Sequence, residues 1–111
     1  LDADNLSRMT RGWFVGDFSP TTFATRNVEV GVKNYIAGDK EKRHFHKVAT
    51  EITLILKGKV MMNGVFFNEG DIIKVNPMES TDFVAITDTT TVVVKCPGEI
   101  NDKYPGRAPN E

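Results

Sequence analysis

The 111-residue chain contains a single cysteine, Cys96, so it has no internal disulfide framework, and a lone thiol fits a reducing, cytoplasmic setting. It lacks any apolar run approaching the roughly 18 residues that span a bilayer. Its polar opening, Leu1 to Thr10, lacks the basic-then-apolar order of a signal peptide. Neither sign of charge prevails: 14 basic and 15 acidic side chains leave a net charge of -1, which speaks against nucleic acid as a partner. No segment of useful length repeats apolar residues at helical spacing, and there is no internal repeat or low-complexity tract. A chain of this length is expected to fold as one domain whose modest core needs neither disulfide nor structural metal.

What is present is a succession of short strand-like runs. Val28, Val30 and Val32 alternate with Glu29, Gly31 and Lys33, the period of a half-buried strand. Ile52 to Leu56 is apolar on both faces apart from Thr53, as in a strand covered on both sides by a pocket, a second sheet or a partner subunit. Lys59 to Met62 and Val65 to Phe67 flank Asn63-Gly64, a hairpin signal because both residues tolerate positive φ. One of Met61 and Met62, and one of Phe66 and Phe67, is expected to face the core. Asp71 to Val75, Thr81 to Ile86 and Thr90 to Cys96 complete the series, and Cys96, following three valines and a lysine, reads as a buried, inert thiol. Trp13, in the aromatic lead-in Arg11 to Phe18, reads as a core or interface anchor. The charged run Asp39 to Arg43 reads as a solvated loop, with Lys42 and Arg43 near enough to the following histidines to attract an anion. We divide the chain into an N-terminal arm and lead-in (1–26), a β-barrel or sandwich (27–97) and a polar tail (98–111) that straps the surface.

Both histidines fall in one stretch, Gly38 to Gly58. His44 and His46 are two apart, so on an extended backbone the imidazoles share a face and Phe45 takes the other. Glu51 follows five residues after His46, at the start of the next apolar run, where its carboxylate can enter the same pocket. Two imidazoles and a carboxylate are a recurrent set for a divalent transition metal. By alternation, Thr53, Ile55, Met61 and Phe66 are the further pocket-lining candidates.

These residues resemble the first motif of the cupin family, a glycine, His-x-His, glutamate and closing glycine, here Gly38, His44, His46, Glu51 and Gly58. The second motif is matched by Gly70 and Pro77, but its glycine is replaced by Glu79 and its histidine by Asp82. The flanking segments are similar to small stand-alone cupins of unassigned activity. The resemblance implies an all-β cupin barrel of two antiparallel sheets, a double-stranded β-helix of jelly-roll type, commonly a homodimer, with its site inside one end. It further implies a metal site of His44, His46, Glu51 and Asp82, two imidazoles and two carboxylates, suited to Mn, Fe, Ni, Co or Zn.

Three functions are compatible with this set. A metal held by these residues can polarise an oxygen of a small polar ligand of carbohydrate or carboxylate type, as in an isomerase, oxygenase or lyase, with His44, His46 and Glu51 at the reacting centre. Without metal, the paired histidines can act as acid and base in a sugar isomerase. The barrel can also bind a sugar or other small molecule without turning it over.

Overall fold

The computed structural model covers residues 1–111. Ten strands form: β1 (Trp13–Val15), β2 (Glu29–Tyr35), β3 (Lys40–Phe45), β4 (Thr50–Lys57), β5 (Lys59–Met62), β6 (Val65–Asn68), β7 (Ile72–Val75), β8 (Thr81–Ala85), β9 (Thr89–Cys96) and β10 (Tyr104–Pro105). The only helical element is a 3-10 turn, Leu6–Arg8, capped by the Asn5 side chain. The strands pair into two five-stranded sheets, in the orders β1-β2-β9-β4-β7 and β10-β3-β8-β5-β6. Every pairing between them is antiparallel. The hairpin forms where the Asn-Gly pair places it: Met62 lies opposite Val65, and Asn63 and Gly64 take φ of 51° and 76°.

Side-chain alternation separates an inner core from an apolar outer face of the first sheet. The core is a cluster of Ile55, Val60, Met62, Val75, Phe83 and Ala85, with Tyr35, Phe67 and Ile73 packed on it. Ile55 and Val60 are fully buried, and burying such a side chain contributes roughly 1.5–3 kcal/mol. Met62 and Phe67 are the inward members of their pairs, while Phe66 is more than half exposed. On the opposite face of the first sheet, aligned registers build two cross-strand rows, Val30-Val94-Ile52-Lys74 and Val32-Val92-Leu54-Ile72. Leu56 and Ile72 on that face are more than half exposed.

Two local expectations are corrected, on the charged run and on Cys96, while the tail is a strap. The charged run is not a loop: Lys40 opens β3, which pairs with β8 through a bulge between Glu41 and His44. Glu41 and His44 of β3 line a polar cavity while Lys40 and Lys42 are exposed, so no apolar alternation marks the strand. Cys96 is exposed, because it ends β9 in the outward phase, just before Pro97. The tail is tied down at several points. Tyr104 and Pro105 pair with Phe45 and His44, Asp102 and Ala108 are buried, and Glu111 accepts from the Ser80 backbone N–H and hydroxyl.

Candidate metal centre

His44 is the penultimate residue of β3, His46 lies just past its end, and Glu51 is the second residue of β4, so the three come from facing sheets across one short connection. One donor atom from each lies within 4.8 Å of the others. The two imidazoles meet edge to face with centroids 5.5 Å apart. Phe45 points the other way and stacks on Tyr104. Nδ1 of His44 is 3.0 Å from the Lys42 carbonyl. As the donor in that contact it leaves Nε2 with the lone pair, the arrangement that orients a metal-ligating imidazole.

His46 is 3 % exposed, and its Nε2 has no hydrogen-bond partner. The nearest acid, Glu51 Oε2, is 3.7 Å away, beyond hydrogen-bond reach. Burial, with the neighbouring Lys95 and His44 charges, lowers the His46 pKa to about 4, so its lone pair is available at neutral pH. Burial raises the Glu51 carboxyl, against the pull of Lys95 and His44. A buried acceptor without a partner, facing a desolvated carboxylate, is a donor set that a divalent cation would satisfy.

Asp82 is not brought to this group. Along β8, Thr81, Phe83 and Ala85 are buried, and alternation turns Asp82 to the other face. There its carboxylate accepts from the Asn63 backbone N–H at 2.7 Å and lies 3.5 Å from Arg43. The four-ligand set reduces to His44, His46 and Glu51.

The three residues open into a cavity of about 250 Å³ lined also by Arg11, Trp13, Lys33, Tyr35, Glu41, Val93, Lys95 and Lys103. None of Thr53, Ile55, Met61 or Phe66 lines it: Thr53 is buried and Ile55 belongs to the core deeper in the barrel, while Met61 and Phe66 fall in the outward phase of β5 and β6. The anion-attracting groups also differ from those expected. Arg43 donates to the Ser80 hydroxyl at 3.0 Å and faces Asp82, and the cavity's cations are Arg11, Lys33, Lys95 and Lys103. These four face two acids, Glu41 and Glu51, so the cavity is formally positive. Burial lowers the Lys33 pKa, while burial and the charges of Glu41 and Glu51 raise that of Tyr35, keeping the phenol protonated.

Trp13 is a wall of this cavity as well as an anchor. Its indole packs against Gly31, where a Cβ would come within 2.7 Å of the ring, and the Nζ atoms of Lys33 and Lys95 lie 4.6 and 5.1 Å from its centroid. The signal for the cavity's wall was in β2: the phase that alternates with its valines, running through Gly31 to Lys33 and Tyr35, faces inward.

No protein-family model matches the chain, and no curated protein matches its sequence. Among solved structures, it is similar to an uncharacterized conserved protein with a double-stranded β-helix domain from Klebsiella pneumoniae, at 20 % identity and TM-score 0.66 over 76 % of this chain and 73 % of that one. It is similar to an RmlC-like cupin from Shewanella frigidimarina, at 17 % identity and TM-score 0.64 over 69 % and 72 %. It is also similar to the DMSP lyase DddQ from Ruegeria pomeroyi, at 20 % identity and TM-score 0.72, over the whole of this chain but 58 % of that one. At these identities the likeness establishes the fold, a small cupin domain.

Proposed function

We propose that this cupin domain holds a divalent transition metal, one of Mn, Fe, Ni, Co or Zn, on His44, His46 and Glu51, and uses it to bind a small carboxylate-bearing molecule. The observation that carries this reading is the buried, unpartnered Nε2 of His46 facing Glu51 in a cavity that also receives His44. A bound metal would supply Lewis acidity toward a carboxylate or carbonyl oxygen. The chain's own groups supply the rest. Arg11, Lys33, Lys95 and Lys103 give the cavity an excess of positive charge that a carboxylate offsets better than a neutral sugar does.

A catalytic role has one observation in its favour. The Tyr35 phenol lines the same cavity and stays protonated, so it can donate a hydrogen bond to a developing negative charge on a bound oxygen. His46, held at low basicity, is a poor proton donor near neutrality, which counts against the metal-free isomerase reading. Non-catalytic binding uses the same groups without turnover. The apolar rows Val30-Val94-Ile52 and Val32-Val92-Leu54-Ile72 support a homodimer closed over that face, and the single exposed thiol fits a cytoplasmic setting.

Elemental analysis of protein purified without chelator tests the metal reading, with about one equivalent of metal expected, lost in His46→Ala and Glu51→Gln. A wild-type chain that carries no metal, and whose melting does not shift on adding Mn, Fe, Co, Ni or Zn, overturns it. Product formation from candidate carboxylates, with and without chelator, separates the catalytic from the binding role.

A further inference from the structure

The connection between the two strands that supply the centre is held by a residue far away in sequence. Asp102, in the polar tail, is 5 % exposed. Its Oδ1 accepts from the backbone N–H of Lys47 at 2.8 Å and of Val48 at 3.3 Å, and its Oδ2 accepts from Val48 at 3.0 Å and Ala49 at 2.8 Å. Three consecutive amides thus converge on one carboxylate, an anion nest made by the loop. Those residues are the segment between His46 and the start of β4, where Glu51 follows Thr50. The adjoining contacts close the clamp. The His46 carbonyl accepts from Met78 N–H at 2.7 Å, Tyr104 stacks on Phe45, and Lys47 Nζ lies 4.3 Å from the Tyr104 ring centroid.

His44 in β3 and Glu51 in β4 belong to different sheets, and His46 lies in the connection just past β3, so ladder hydrogen bonds do not fix the distance between His46 and Glu51. That distance is set by the loop that crosses from one sheet to the other. Ala49 is 1 % exposed, so without Asp102 its N–H would lose its acceptor in a buried setting. We infer that Asp102 is a positioning residue for the metal centre: by binding the amides of residues 47–49 it sets the spacing of His46 and Glu51, and with it the affinity and coordination of the ion. The inference rests on the metal reading for its functional consequence, and on hydrogen bonds alone for its structural one.

The test compares the full-length wild-type chain with Asp102→Asn, which keeps size but turns an N–H donor toward the loop amides and removes one acceptor. Glu111→Gln serves as control, because it loosens the tail at Ser80 and Ala108 without touching the loop. In metal-free protein, Asp102→Asn is expected to move the imidazole NMR resonances of His46, while Glu111→Gln leaves them in place. With Co2+ as probe, Asp102→Asn should bind about 10–100-fold more weakly, the range for groups that orient ligands, and with an altered visible absorption band. Unchanged His46 resonances, together with a wild-type Co2+ affinity and band in a folded Asp102→Asn protein, would overturn the inference. A wild-type chain that takes up none of Co2+, Mn2+, Fe2+, Ni2+ or Zn2+ sinks the metal reading instead, and the imidazole resonances then decide the role of Asp102. If Asp102→Asn does not fold, amide exchange in the wild-type chain decides: protection of residues 47–49 that rises on adding Co2+ upholds the coupling, and rapid exchange indifferent to Co2+ refutes it.

Discussion

The inward face of β4 passes from Glu51 through Thr53 to Ile55, and along it the barrel changes character. At the Ile55 end the neighbours are Val60, Met62, Val75, Phe83 and Ala85, an interior that needs only shape and volume. At the Glu51 end they are His44, His46, Lys95 and Lys33, an interior that leaves a buried nitrogen without a partner and desolvates a carboxylate. One end concentrates stability and the other spends some of it. The difference teaches that the open end is not a poorly packed core: its polar groups are buried yet left unsatisfied, an arrangement that favours the proposed binding of a charged ligand.

Four measurements would break or sharpen this contrast. The largest effect belongs to the closed end: Ile55→Ala should destabilise the chain by about 2–5 kcal/mol by creating a cavity, as read from denaturant unfolding, while the folded protein keeps its metal stoichiometry. A lost metal site in that variant would show that the two ends are not separable. Next, His46→Ala should weaken metal binding by at least about a hundredfold, more than loss of a group that only orients a ligand does, and should leave the metal-free protein no less stable by more than about 1 kcal/mol, since it removes an unsatisfied polar atom. Calorimetric titration and unfolding of the chelated protein check the two halves.

The third effect is pH dependence in the metal-free state. The unfolded chain protonates His46 near its ordinary value of 6.5 and the folded chain only near 4, so the unfolded state binds more protons between those values. This contribution to stability is full above about pH 6.5 and declines as pH falls toward 4, by at most about 1.4 kcal/mol per pH unit. In His46→Ala that part of the slope should vanish; an unchanged slope would show that His46 is not held neutral. The smallest effect is at the rim: Lys95→Met should weaken binding of a small dicarboxylate such as malonate about two- to fivefold, the scale of a partly exposed charge pair. Unchanged malonate affinity would remove Lys95 from the anion-binding role and turn attention to Lys33, Lys103 and Arg11.

Much of this was legible beforehand, for identifiable reasons. The Asn63-Gly64 hairpin and the strand runs are local: a turn that requires positive φ and a period of two are written in neighbouring residues. The convergence of His44, His46 and Glu51 was legible because a two-residue spacing and a short crossing leave little freedom. Glu41, Lys33 and Tyr35 escaped notice because a polar inward face inverts the usual sign of the alternation. Asp82 was misplaced because motif spacing counts residues, whereas β8 turns Thr81 and Phe83 inward and leaves Asp82 between them.

By itself, then, the amino-acid order determined the class of fold and the two imidazoles that share a face, since both follow from interactions among residues close in the chain. Only the tertiary structure decided that Asp82 stays out, that Trp13, Lys95 and Lys103 wall the cavity, and that Asp102 grips the loop between the ligands. Each of those outcomes joins residues tens of positions apart, and such contacts depend on which sheet and which side of a strand each one reaches, a matter that local pattern does not encode.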